Sequence, residues 1–140
     1  AKMNEFQAAM GLCNLRHLEE EIQKRKKVVE YYNVLLKNIK GITCLNKKTN
    51  IKSNYAYYPV VFETKEQREY IYEKLKENDI FSRRYFYPLT SDEVCFKNKY
   101  IKQDLQKARY YSDRILVLPL YADLKNEEVE RIVDVIRKNL

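Results

Sequence analysis

The stretch RILVLPLYADLKNEEVERIVDVI, residues 114–136, sets a strand directly before a helix. Ile115-Leu116-Val117-Leu118 is a short apolar run, which reads as a buried strand. Pro119 stops it, because proline cannot donate to a ladder. From Asn126 the period changes: Val129, Ile132, Val133 and Ile136 recur at steps of three and four, on one helix face. Asn126 stands as the N-cap. Glu127 and Glu128 in the first turn, and Arg137 and Lys138 near the end, suit the helix dipole. A buried strand beside a one-sided helix points to a sheet covered by helices.

The same contrast recurs upstream. Tyr55 to Phe62 is rich in aromatic and β-branched residues and predicts a strand, with Pro59 arguing for an edge or a bulge. Thr64 and Gln67 form a capping-box pair that opens a helix to about Asn78, with Ile71 and Leu75 inward. Residues 80–86 read as a strand, and residues 103–113 as a helix. At the front, Asn4 and Gln7 make another capping box. A helix from about residue 5 carries the stripe Phe6, Ala9, Met10 and Cys13. A second, longer helix follows, with Leu18, Ile22, Val29, Tyr32, Leu36 and Ile39 on one face and Gly41 placed to end it. The predicted order is helix, long helix, strand, helix, strand, helix, strand, helix. That is one α+β domain over 1–140: front helices across 5–40, then a mostly antiparallel three-stranded sheet with helices on one face across 54–140. The front helices need a surface to cover, so they are expected to expose apolar area, with self-association or a displaced first helix as the result.

Composition narrows the function. Apolar residues are 45% of 140, enough for a modest core, and no run of about 18 apolar residues could span a membrane. Two glycines leave no Gly-rich phosphate loop. Cys13, Cys44 and Cys95 have long spacings and no CxxC; with the lone His17 they make no zinc site. They read as reduced thiols of a cytoplasmic protein, Cys13 as a core residue on a helix face. The net charge of +7 is uneven: residues 1–52 hold 11 Lys/Arg against 5 Asp/Glu. The run Lys24-Arg25-Lys26-Lys27 reads as a solvated helix face more readily than as a nucleic-acid site.

No Ser/His/Asp set, Cys/His set or carboxylate pair can be assembled. The unusual stretch is Ser82-Arg83-Arg84-Tyr85-Phe86-Tyr87-Pro88. On a strand, Arg83 and Tyr85 would share one face, and Arg84 and Phe86 the other. A guanidinium beside an aromatic ring can hold a phosphate or carboxylate and stack on a planar group. Tyr57, in the alternating tyrosines Tyr55, Tyr57 and Tyr58, is a weaker candidate, because such residues usually serve packing.

The motif KMNEFQAAMGL, residues 2–12, resembles the signature of the DegT/StrS family of pyridoxal-phosphate-dependent sugar aminotransferases, with Lys2, Met3, Glu5, Ala8, Ala9, Gly11 and Leu12 in place. The long helix, with Arg25 and Tyr31, and the later blocks NYAYYPVVF, IFSRRYFYPL and RILVLPLYADLKNEEVERIVDVI resemble the family's in order. The resemblance implies the small C-terminal domain of an aspartate-aminotransferase-type fold, preceded by a large domain that carries the Schiff-base lysine and its aspartate partner. It implies amino transfer from an amino acid, glutamate, to a nucleotide-linked ketosugar for surface polysaccharide or deoxysugar synthesis, in a homodimer whose sites are built from both subunits. It makes Lys2 a contact to the cofactor phosphate, and Tyr85, Arg83, Arg84 and Tyr57 substrate-side residues. The chain alone is then expected to bind no cofactor and to be inactive. The alternative is an RNA-binding or assembly module. Against RNA stand the missing aromatic signature of sheet-based RNA binders and a basic excess confined to helices.

Overall fold

A computed structural model describes residues 2–45, 50–96 and 105–140. Helix α1 (Glu5–Leu36) leads to strands β1 (Ile42–Cys44) and β2 (Tyr58–Phe62), helix α2 (Lys65–Glu77), a 3₁₀ turn (Thr90–Asp92), helix α3 (Gln106–Arg114), strand β3 (Ile115–Leu118) and helix α4 (Asn126–Asn139). The α+β class holds: three antiparallel strands in the order β1-β2-β3, with α1, α2 and α4 packed over one face.

The pleat divides the sheet as its period requires. Tyr58, Val60 and Phe62, with Leu116 and Leu118, point to the helices. There they meet Val28, Val29, Tyr32 and Leu36 of α1, Ile71 and Leu75 of α2, and Val129, Ile132, Val133 and Ile136 of α4. Val61, Ile115 and Val117 point the other way and pack against Tyr85. Tyr32 and Tyr58 stack with centroids 4.6 Å apart. The Tyr32 hydroxyl donates to Pro119 O at 3.0 Å, so the buried phenol is satisfied.

Several sequence expectations need correction. The two front helices are one continuous helix of 32 residues. Gly11 alone costs about 1 kcal/mol, too little to break it, and no proline follows. Asn4 and Gln7 do form the reciprocal cap, at 2.9 and 3.0 Å. The helix ends at Leu36, and Gly41, at φ 88°, instead turns the chain into β1. Residues 80–86 pair with the sheet only through the Arg83–Val117 bridge; the third strand is Ile42–Cys44, too short to show a period. Pro59 lies in the central strand, but the register with β1 stops at Val60, so there β2 has only β3 beside it. At α2, Thr64 accepts from Gln67 N at 3.1 Å, while Gln67 Oε1 has no partner, so only half the box forms. At α4 the cap is Lys125, whose amide donates to the Glu128 carboxylate at 2.9 Å; Asn126 is already helical. The helix expected at 103–113 is α3, and residues 103–104 lie outside those described. Cys13 is exposed, not core. No helix among the described residues is long and apolar enough to cross a membrane.

Two cations of the basic run of α1 pair within the helix. Lys24 meets Glu20 at 3.0 Å and Lys26 meets Glu30 at 3.8 Å. Among the described residues, the first half of α1 contributes nothing to the core: Phe6 is 85% and Met10 63% exposed, with Met3, Leu12 and Leu15 similar. We expect concentration-dependent self-association of this chain in sedimentation runs, suppressed in a Phe6→Glu, Met10→Glu double variant. A strict monomer at every concentration would refute this.

Candidate substrate-binding site

The residues that could meet a small molecule gather on the sheet face away from the helices. Tyr57 immediately precedes β2. Arg83 is fixed against β3 by two backbone hydrogen bonds: Arg83 N donates to Val117 O at 3.0 Å, and Val117 N to Arg83 O at 2.8 Å. Tyr85 lies over Val61, Ile115 and Val117 and meets the Tyr57 ring at 5.1 Å. Between Tyr57 and Arg83 opens a cavity of about 370 Å³, lined also by Phe81, Pro119 and Tyr121 among others; Tyr85 stands beside Tyr57 but outside that lining. The Arg83 side chain is exposed and has no hydrogen-bond or ion-pair partner among the described residues. A guanidinium facing an aromatic-walled hollow suits a planar or tetrahedral anion. Desolvation and the Glu128 carboxylate push the Tyr121 phenol up, so it remains a neutral donor at neutral pH.

The other arginine does different work. Arg84 gives Nη1 to both oxygens of Glu69, at 3.2 and 3.1 Å, and lies over the Tyr72 ring at 4.5 Å. Because 80–86 is not a regular strand, the expected alternation of faces does not apply, and Arg84 does not line the cavity. Beneath it is Arg68 of α2, fully buried. Its Nε donates to Asp113 O at 2.9 Å, and its guanidinium lies over Tyr87 at 4.6 Å. Its Nη1 is 3.3 Å from Glu69 Oε1, an ion pair, yet neither terminal nitrogen makes an aligned hydrogen bond. Burial pulls the Arg68 guanidinium down from its ordinary value, and Glu69 opposes that. Ser112 donates to Phe86 O at 2.7 Å. Segment 84–87 is thus clamped to α2 and α3, and the clamp sets where Tyr85 stands.

Three of the five candidates therefore come together: Tyr57, Arg83 and Tyr85. Lys2 does not join them. It is exposed before the far end of α1, on the order of 30 Å away at 1.5 Å per helical residue. Phe81 and Tyr121 were missed; Tyr121 sits in the LPLYADL block, whose spacing after Pro119 was the available signal. His17 is exposed, and no group of three or more potential metal ligands occurs among the described residues.

The sequence pattern of the DegT/DnrJ/EryC1/StrS aminotransferase family matches residues 1–137. The chain belongs to that family. Among curated members, the dTDP-4-amino-4,6-dideoxy-D-glucose transaminase of Escherichia coli is 40% identical over 135 residues, covering 94% of this chain and 36% of that protein. Among solved members, DesI in the presence of its TDP-sugar product superposes with a TM-score of 0.90 at 25% identity, over 99% of this chain and 36% of that one. The PLP form of Spr1654 from Streptococcus pneumoniae gives a TM-score of 0.83 at 26% identity, over 99% and 36%. The chain spans little more than a third of the length of these DegT-family relatives.

Proposed function

We propose that this chain is the C-terminal domain of a pyridoxal-phosphate-dependent aminotransferase that moves an amino group from an amino acid, glutamate, to a nucleotide-linked ketosugar. The single observation that carries the reading is the unpartnered Arg83 in an aromatic-walled cavity of a chain whose family aminates sugar nucleotides. Donor and acceptor both bring an anion, the one a carboxylate and the other a diphosphate, and Arg83 is free to bind one. Tyr57 and Tyr85 would hold the sugar ring by stacking and hydroxyl hydrogen bonds.

Pyridoxal phosphate, when bound, supplies the electron sink for the transfer. Holding it needs a lysine amine and an acid for the ring nitrogen. The lining of the Arg83 cavity contains neither; on this reading both groups belong to the large domain that the family resemblance sets before this one. Within them, Lys2 is the residue offered to the cofactor phosphate, across a subunit boundary in a homodimer. The enzyme would work in the cytoplasm, where nucleotide sugars are made. No observation favours the RNA-binding reading: in the basic run of α1, Lys24 and Lys26 pair with glutamates of the same helix and Arg25 donates to Asn54 O.

The test is absorbance and borohydride reduction with pyridoxal phosphate, on this chain and on a form with its upstream sequence restored. The expected result is a reducible lysine adduct in the longer form alone. Uptake by neither form would remove the reading.

A further inference from the structure

Arg25 differs from the lysines beside it. Lys24 and Lys26 pair with glutamates of α1, whereas Arg25 reaches across to the segment before β2, where its Nη2 donates to Asn54 O at 3.2 Å. That is its one hydrogen bond among the described residues, and its Nε is buried without a partner. Asn54 is the junction of a tight turn. Its Oδ1 accepts from Ala56 N at 3.1 Å, and Ser53 Oγ accepts from Tyr55 N at 3.1 Å. Between these two bonds Tyr55 stands at φ 50°, in the left-handed region that a tyrosine rarely adopts. Backbone of this kind persists only where its surroundings over-determine it. The turn leads to Tyr57. That residue lines the Arg83 cavity and also a second, larger one, of about 690 Å³, which opens at Asn33 between the last turns of α1 and strand β1. Tyr57 is thus the partition between two hollows, and its ring meets Tyr85 at 5.1 Å. At 53% exposure it is not fixed by burial, so the backbone that carries it decides where it stands.

We propose that Arg25 is a positioning residue for the Arg83 cavity: by holding Asn54 O it fixes the turn at 53–56 and so the stance of Tyr57. Arg25 lies in neither cavity lining, so it acts through Tyr57 and not on a ligand. The guanidinium suits the task. Its charge does not titrate, and a bond from a cation to a carbonyl is stronger than one between neutral groups. The tie also joins the turn to α1 at a point next to Val28 and Val29, which are in the core, so the turn is anchored to the rigid part of that helix. The inference rests on the proposed function for what Tyr57 meets, and deepens it by naming what holds that wall in place.

The test is the variant Arg25→Met, which keeps an apolar stem and removes the donor. In nuclear magnetic resonance spectra of the labelled 140-residue chain it should move the amides of Asn54 to Tyr57 and the rings of Tyr57 and Tyr85. Arg25→Lys, which keeps a charged donor, should restore most of that change. Lys27→Met, in the same run, should leave those signals where they are. In the longer form, Arg25→Met should raise KM for the substrate that meets Tyr57 about five- to tenfold and leave kcat within about twofold. A merely structural role would lower the folded fraction, and with it the apparent kcat, at an unchanged KM. Tyr57 and Tyr85 rings unmoved in Arg25→Met, a lysine variant no better than the methionine one, or a KM equal to the parent's would each overturn the proposal. If the longer form transfers amino groups and its KM is unmoved, this inference falls and the functional reading stands. If the rings move and recover as expected but the longer form transfers no amino group, the functional reading falls and the hold of Arg25 on Tyr57 stands.

Discussion

Glu69→Gln is expected to destabilise the chain by about 2–3 kcal/mol, more than Arg68→Met does. Removing one partner of a buried ion pair costs about 3–5 kcal/mol, because the other charge is left uncompensated. Here the carboxylate is partly exposed, at 31%, so the figure is discounted for solvent screening. Glu69 serves two guanidiniums at once: Arg68 at 3.3 Å and Arg84 at 3.1 Å. The glutamine keeps the shape and removes the charge. Arg68 is then a fully buried cation whose remaining polar contact is the bond from Nε to Asp113 O. Arg68→Met deletes the cation as well, and methionine can lie over Tyr87 in its place, so a loss of about 1–2 kcal/mol is expected. Urea unfolding of the two variants gives the comparison as a difference in midpoint at constant m. If Arg68→Met is the less stable, the carboxylate is not what holds this cluster together.

The second large effect separates the two adjacent arginines. Arg83→Ala should leave stability within about 0.5 kcal/mol of the parent, since its side chain has no hydrogen-bond or ion-pair partner among the described residues. In the longer form it should lower affinity for the anion it binds by about 10–100-fold, the worth of a charge-assisted hydrogen bond. Arg84→Ala should do the opposite. It breaks the contact with Glu69 and uncovers Tyr72, at about 1 kcal/mol of stability, and it changes substrate affinity only through the position of Tyr85. Unfolding midpoints paired with steady-state KM values on both variants decide it. Equal losses of affinity would mean that both guanidiniums face the substrate and that the Glu69 pair opens on binding.

The sequence shows best what depends on local period. The inward faces of α2 and α4 are those of the structure, because their apolar residues recur at helical steps and bury against one sheet. The acids and bases at the ends of α4 were readable for the same reason. What failed depended on partners distant in sequence. Ile42–Cys44 is a strand only because β2 offers it a ladder, and 80–86 is not one because β3 accepts a single bridge there. No local pattern distinguishes these. Arg83 and Arg84 are neighbours in sequence with opposite fates, decided by Glu69, which lies on another element. The cavity at Asn33 was likewise hidden: its walls come from α1, β1 and the segment before β2, and nothing in their spacing announces that they meet.

Helix α1 has one more consequence. Its 32 residues form one hydrogen-bonded rod, yet Val28, Val29, Tyr32 and Leu36 are its buried residues, all in the last third. The amides of the first turns are therefore protected only by local helix–coil equilibrium, which for a stretch this short is marginal in water. Those around Tyr32 open only when the domain does. A single element thus spans the whole range of opening free energies in the chain, from nearly none at Glu5 to the global value at Leu36, and any body that settles on its bare half must first supply the ordering that the rest of this chain does not.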